Sequence, residues 1–440
     1  MWDTLYHLVF YPLFVTAMRL VALWSPKIRR ALKGRTDWRG PVSRIPAMPQ
    51  HIFRIHFHVS SVGEFEQAIP LIELLRNEPI SYRITVSFFS SSGYDHRKGF
   101  PLVDGVCYLP HDRQSDMNEF MNRLSPDLVI IIRYDLWPEF VRQTEIRKIP
   151  TLLLNGVLRK NSIRFFPLVR AFFSALYGRL TFISAVEEED VESFRKLAPD
   201  VPAYKMGDTR YDRVWQRLQR RDFADEVAFA QSLAGERLIV VAGSTWPEDE
   251  RLLESVANDK RLFILIVPHE PTHDHVSALC DRMPNARTLS DLFSAKNGIP
   301  DSPVQTLIID RLGLLAELYR IGDIAWVGGG FGAGVHSLLE PAACGLPLMS
   351  GPKIDRSRDA AALREEGLLK TVVEETELKA YLNNLIEDEE YRKKQKKLIA
   401  SFVQERVGAT EEIVLVLRER GWLPNHEMVK EQQNELPSVM

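Results

Sequence analysis

Apolar, β-rich runs alternate with helical patterns along most of this 440-residue chain, and that alternation restricts its fold more than any other feature. The runs at 53–59, 82–88, 128–132, 151–154 and 180–183 form a first series, and those at 237–242, 262–267, 304–309, 324–327 and 346–349 form a second. Gly, Pro or charged turns bound them, so the pattern predicts βα units around parallel sheets. Between the two series the segment 211–236 is highly charged and holds no strand-like run, which places a domain boundary near Asp212. The chain is also longer than a single hydrophobic core supports. The expected fold class is α/β: two doubly wound, Rossmann-like domains at 41–212 and 213–424 facing a central cleft at the carboxyl ends of their strands, followed by a polar tail at 425–440. The charged helical pattern over 375–421 needs no more than a solvated face.

A net charge of −3 gives no general polyanion-binding surface, so nucleic acid is not an expected partner. Cys107, Cys280 and Cys344 lie far apart without metal-ligand spacing, as expected of a chain kept in a reducing compartment.

The amino terminus departs from this ordinary composition. Residues 5–24 are strongly apolar with Trp2, Tyr6, Tyr11 and Trp24 near the two ends, and Lys27, Arg29, Arg30, Lys33, Arg35 and Arg39 follow. Residues 1–40 therefore read as a membrane anchor with a basic flank for anionic lipids, the positive flank remaining cytoplasmic. Asp3, His7 and Arg19 keep an interfacial amphipathic helix open beside a full span. No small-residue cleavage site follows, and the Pro-containing stretch 41–49 reads as a linker.

Four segments carry candidate chemistry. The run from Ile324 to Ala343 reads as a strand, a loop with Gly328, Gly329, Gly330, Gly332 and Gly334, and a helix. Such a loop lets backbone N–H groups approach a phosphate, with Glu340 placed to accept from ribose hydroxyls; the glycines alone fit a tight turn equally well. After the strand ending at Ala242, Ser244 or Thr245 would cap a helix and leave N–H groups for a phosphate, capping alone being the commoner role. In His58-Val59-Ser60-Ser61-Val62-Gly63-Glu64-Phe65-Glu66, Glu64 falls at the carboxyl edge of the first sheet, where a carboxylate can act as general base. From spacing alone, an acid favoured by the helix dipole is the commoner origin of such a residue. His269-Glu270-Pro271-Thr272-His273 formally satisfies H-E-x-x-H, but Pro271 forbids the regular helix that zinc ligation needs, so no metal site is expected.

Taken together, these segments resemble the Kdo transferases, glycosyltransferases of GT-B type, with motif order agreeing from about residue 34 to 352. The family's S-V-G-E element is Ser61-Val62-Gly63-Glu64, and its acidic LWP element resembles Asp135-Leu136-Trp137-Pro138. Its G-N-x-K-[FY]-D element resembles Gly207-Asp208-Thr209-Arg210-Tyr211-Asp212, and its N-P-L-E-P-A element resembles Ser337 to Ala342. Asp135 stands where Glu is usual, Arg210 replaces Lys, Ser337 replaces Asn, Leu314 replaces Glu, and His269 stands where Arg is usual.

The resemblance implies inverting, metal-independent transfer of 3-deoxy-D-manno-octulosonic acid (Kdo) from CMP-Kdo to a lipid A precursor in lipopolysaccharide core synthesis, on the cytoplasmic face of the inner membrane and without a cofactor. It implies Glu64 as base, with Asp135 and Arg210 stabilising the transition state. Donor contacts fall on Ser244, Thr245, His269, Glu270, Leu312, Gly313, Leu314, Ser337, Leu338, Leu339 and Glu340, the first domain taking the acceptor and the second the nucleotide. Two alternatives stay open: a GT-B enzyme using a UDP-sugar, and an inactive membrane-bound scaffold of the same fold.

Overall fold

The computed structural model describes residues 2–46, 52–219, 224–283, 285–294, 304–332 and 334–425. The chain divides into two compact units, residues 1–213 together with 408–440, and residues 214–407.

The first unit holds β1 (Phe53–Val59), β2 (Tyr82–Phe88), β3 (Gly105–Tyr108), β4 (Leu128–Ile132), β5 (Thr151–Gly156), β6 (Phe182–Ala185) and β7 (Ala203–Lys205). They form one sheet in the order β3-β2-β1-β4-β5-β6-β7, with every pairing parallel. The second unit holds β8 (Leu238–Thr245), β9 (Leu262–Pro268), β10 (Ala286–Thr288), β11 (Thr306–Ile308), β12 (Ile324–Val327), β13 (Leu348–Ser350) and β14 (Leu369–Thr371). Its order is β10-β11-β9-β8-β12-β13-β14, again parallel throughout. The central strands are buried along nearly their whole length, as sheets covered by helices on both faces require. Phe57, Phe65, Ile72, Ile84 and Phe182 belong to one core of the first unit, Phe120, Phe140, Tyr177 and Phe194 to the other. The core of the second unit includes Val240, Ile264, Trp326, Met349 and Leu382.

Three expected boundaries change. The carboxyl-terminal segment does not stay with the second domain to residue 424. Its helix Ala409–Glu419 returns to the first, burying Ile413, Val414 and Leu417, with Leu423 beyond the helix end, in the core that also holds Leu71, Ile72 and Leu75. Asp212 secures the return, accepting from the Gly408 and Thr410 N–H groups at 2.7 and 2.8 Å. The expected linker 41–49 is helical at its start, within Arg39–Ser43, and residues 47–49 lie outside the described set. Of the expected tail 425–440, only Asn425 is among the described residues.

The third change concerns residues 1–40, expected as a separate anchor. The helical segments Trp2–Leu5, Tyr6–Phe10 and Tyr11–Val21 follow one another, and the middle one is π-helical, the Tyr11 N–H bonding the Tyr6 carbonyl. That wider turn brings Tyr6 and Tyr11 to one face, where they are buried with Val15 against Trp137 and Phe172. The Tyr6 hydroxyl donates to Asp112 Oδ2 at 2.7 Å, the Asp112 N–H donates to the Tyr11 oxygen at 2.8 Å, His7 Nε2 meets Glu139 at 2.7 Å, and Arg179 donates to Asp3 at 2.7 Å. Asp112 also accepts from the Glu139 and Phe140 N–H groups in the first turn of the helix Pro138–Ile146. Burial nevertheless pushes its carboxyl up to about 6. The segment is thus part of the first domain, with Leu8, Leu13 and Leu20 on its open side at 73%, 63% and 55% exposure.

Candidate active site

In each sheet the connections run in opposite directions from one central strand, the position where open α/β sheets bind ligands beyond the carboxyl ends of their strands. In the first sheet that strand is β1, flanked by β2 and β4. Glu64 follows β1 at the third position of the helix Val62–Arg76, and Asp135 follows β4.

Glu64 is buried and closes a capping box with Ser61, its Oε2 accepting from the Ser60 N–H and, at 3.2 Å, from the Ser61 N–H. Among the described residues Oε1 has no partner, which leaves one oxygen for a proton. Burial, reinforced by the charge of Asp135, raises the carboxyl above its ordinary value against the opposing Ser60 hydrogen bond. A better proton acceptor at neutral pH results. Burial also works to raise Asp135, but the hydrogen bond from His58 Nε2 at 3.1 Å and the nearby Arg35 outweigh it and hold that carboxyl below its ordinary value. The two acids are therefore driven apart: one toward proton uptake, the other toward a fixed negative charge.

Arg210 follows β7 in the first turn of the helix Thr209–Gln219. The buried Asp208 grips it, with Nε and Nη2 donating at 2.8 and 2.7 Å, and Arg133 lies 3.8 Å from the same carboxylate. Arg133 also donates to Gln67, one turn beyond Glu64, at 3.2 Å. Gln67 in turn accepts from Asn155 at 3.1 Å, and Asn155 donates to Thr209 at 2.6 Å. This polar net ties the ends of β4, β5 and β7 to the helix of Glu64. Arg133, Gln67, Asn155, Asp208 and His58 are thus site residues that the motif reading did not single out. Arg133 and Asn155 both take positive φ, +70° and +54°, a conformation that costs energy outside glycine and collects at functional sites.

In the second sheet the reversal falls at β8, between β9 and β12. β8 runs beyond the expected Ala242 to Thr245, and its register against β9 slips around Ser244, which has φ +53°. Neither Ser244 nor Thr245 caps the following helix, Pro247–Glu254. Asp249 reaches back to the Trp246 N–H at 3.0 Å, while the Thr245 hydroxyl donates to the buried Glu250 at 3.0 Å. Glu250 also binds His275 at 2.9 Å and Arg282 at 3.4 Å. The exposed ring of His269 lies between Trp246 and His336, with centroids 4.9 and 4.6 Å away, and the indole N–H donates to His336 Nε2 at 3.1 Å. Burial and the neighbouring His269 lower the His336 imidazole, suiting it to this acceptor role. Glu270 is exposed beside this stack. The helix His273–Arg282 starts only at His273, so His269 and His273 do not share a helix face.

The glycine-rich segment differs from its expected form. It does not lead directly into a helix: residues 328–338 are non-helical where described, and the helix Leu339–Ala343 is a single short turn. Its N–H groups at 328, 329, 332, 334, 335 and 336 already bond Gly243, Asp249, Gly329, Gly329, Lys353 and Gly328. The glycines answer to close packing: a Cβ on Gly328 would stand 2.2 Å from the Ser244 carbonyl oxygen, and one on Gly330 would stand 2.7 Å from the Gly351 backbone. Glu340 is half-buried, accepting from Ser337 at 2.8 Å with Arg217 at 3.6 Å. Leu338 and Leu339 are buried, so only their main chain is available to a ligand. Leu312 is exposed, Gly313 takes φ +100°, and Leu314 precedes the helix Leu315–Ile321.

A family model described as 3-deoxy-D-manno-octulosonic-acid transferase (kdotransferase) matches residues 30–213, a range that contains Glu64, Asp135 and Arg210. The 3-deoxy-D-manno-octulosonic acid transferase of Haemophilus influenzae is 29% identical over 78% of this chain and 80% of its own length. That of Chlamydophila psittaci is 28% identical over 69% and 71%. The chain is similar to Kdo transferases along most of its length. In fold it is similar to UDP-GlcNAc 2-epimerase from Neisseria meningitidis, with a TM-score of 0.59 over 83% of this chain and all of that one; at 14% identity the likeness concerns the GT-B fold alone. The protein is a glycosyltransferase.

Proposed function

We propose that the protein transfers Kdo from CMP-Kdo to a sugar hydroxyl of a lipid A precursor. The observation that carries this reading is the convergence of Glu64, raised by burial, with Asp135 and the Arg210–Asp208 pair at the carboxyl edge of the first sheet. Glu64 takes the proton as the acceptor oxygen attacks the anomeric carbon. The bond from that carbon to the CMP phosphate breaks, and CMP leaves with the electron pair. A single displacement inverts the anomeric centre and asks for no metal. Arg210 supplies positive charge for the phosphate and Asp135 negative charge for the sugar as it becomes cation-like. Purified protein incubated with CMP-Kdo and a lipid A precursor should yield acceptor heavier by Kdo in mass spectrometry. Product only with a UDP-sugar would replace the donor, and no product with either would leave a scaffold.

The donor contacts proposed for the second domain are Ser244, Thr245, His269, Glu270, 312–314 and 337–340, with Glu340 at the ribose. Glu340→Ala should weaken CMP and CMP-Kdo by the same factor, roughly 10- to 100-fold for losing hydrogen bonds to a charged acceptor. Full CMP affinity by calorimetry would remove the donor from this loop.

We place the enzyme on the cytoplasmic face of the inner membrane, its amino-terminal helix lying in the interface with anionic lipids beside Lys27, Arg29 and Arg30. Four of the helix's residues, Asp3, Tyr6, His7 and Tyr11, bond the first domain, and a span would have to break those bonds. Leu8→Asp, Leu13→Asp and Leu20→Asp together should shift the protein from the membrane pellet to the supernatant without unfolding it, each leucine contributing about 1.5–3 kcal/mol when immersed. Unchanged sedimentation would place attachment elsewhere.

A further inference from the structure

β1 and β2 run side by side with His56 opposite Thr85 and His58 opposite Ser87. Because side chains alternate along a strand, all four project to one face of the sheet, and all four are buried. His56 Nδ1 lies 2.9 Å from the Thr85 hydroxyl and Nε2 lies 2.9 Å from the Ser87 hydroxyl. Ser87 is also 2.9 Å from His58 Nδ1, and His58 Nε2 is 3.1 Å from Asp135. Phe120 and Phe140 pack edge-on against the imidazoles and close them off.

The hydrogens follow from the partners. An ionised Asp135 only accepts, so His58 Nε2 carries a hydrogen. Ser87 has one hydrogen for two rings. With His58 neutral, one direction satisfies both rings: Thr85 donates to His56, His56 to Ser87, Ser87 to His58, and His58 to Asp135. Burial, with His58 nearby, holds the His56 imidazole down to about 3, so that ring stays neutral as the direction demands. The charged or titratable groups facing Asp135 from neighbouring elements are His58 on β1, Glu64 on the helix after it, and the buried Arg35 on the helix Pro26–Thr36.

We infer that the Thr85–His56–Ser87–His58 chain is an orienting device for Asp135, with His58 a positioning residue that aims and holds the carboxylate. The inference rests on Asp135 lying at the reacting centre. His58 reaches the chemistry only through that carboxylate, and Ser87 reaches it only through His58. A chain buried in the rigid centre of the sheet gives the loop residue Asp135 a fixed direction that loop backbone alone does not supply.

The test is a double-mutant cycle on donor- and acceptor-saturated transfer by the full-length protein, with His58→Asn, Ser87→Ala and Asp135→Asn alone and in pairs. His58→Asn should lower kcat about 10²-fold, the loss expected for a misdirected catalytic group, with KM for either substrate little changed. Ser87→Ala should lower it less, and it serves as the milder variant if His58→Asn does not fold by circular dichroism. In the Asp135→Asn background both further losses should vanish. Equal losses with and without Asp135 would overturn the inference, as would an unaltered kcat in Ser87→Ala and His58→Asn. If Asp135→Asn alone transferred at the normal rate, the role of Asp135 itself would fall, a different result from additivity.

Discussion

Glu64→Gln should reduce sugar transfer by about 10²- to 10⁴-fold while leaving the fold and nucleotide binding in place. The amide oxygen can keep the Ser60 and Ser61 N–H bonds that now end on Oε2, so the helix start survives. What disappears is the ability to hold a proton. In the unaltered enzyme, transfer needs this carboxyl ionised, and burial raises it. Activity should therefore decline as pH falls through that raised value, at a higher pH than an exposed glutamate would dictate. The Gln variant should lack that limb in whatever activity remains. Near-normal turnover in the variant, followed by release of CMP, would remove Glu64 from the mechanism.

A chain ending at Val407 should lose the first domain altogether. The missing segment buries Ile413, Val414, Leu417 and Leu423, together worth about 6–12 kcal/mol at 1.5–3 kcal/mol each. That matches the whole stability of a typical domain, about 5–15 kcal/mol. The cut also strips Asp212 of its Gly408 and Thr410 partners, leaving a buried carboxylate unpaired. Calorimetry should show the transition of the second domain retained and that of the first absent. Two transitions in the truncated chain would show that the returning helix is dispensable.

The interior of both sheets was legible in the sequence, and the reason is physical. Strands covered on both faces read as apolar runs, and β1, β2, β4, β9 and β12 were placed within a residue. β3, β7, β10 and β14 were missed, and these are the four edge strands. Each has only three or four residues, too few for a run or an alternation to register. Glu64, Asp135 and Arg210 came from the motif resemblance, and the structure sets them after β1, β4 and β7 of one sheet. The net that joins Arg210 through Asp208 and Arg133 to Gln67 was not legible, since it spans residues 67 to 210 and exists only after the strands align. A signal for His58 was present: His56 and His58 alternate with apolar residues in one strand as Thr85 and Ser87 do in the next. The glycine-rich segment misled because glycine marks close backbone packing as readily as open N–H groups.

The first domain is interrupted in the chain by the second, and this orders events during synthesis. The face of the helix Val62–Arg76 that receives Ile413, Val414 and Leu417 is made early, but its cover is made last. The roughly 190 intervening residues take about 10–40 s to add at about 5–20 residues per second. Throughout that interval the nascent first domain shows the ribosome's surroundings an apolar strip that the finished protein hides. Chaperones should therefore engage the chain between emergence of residue 213 and release, and slowing translation within 214–407 should lengthen that engagement.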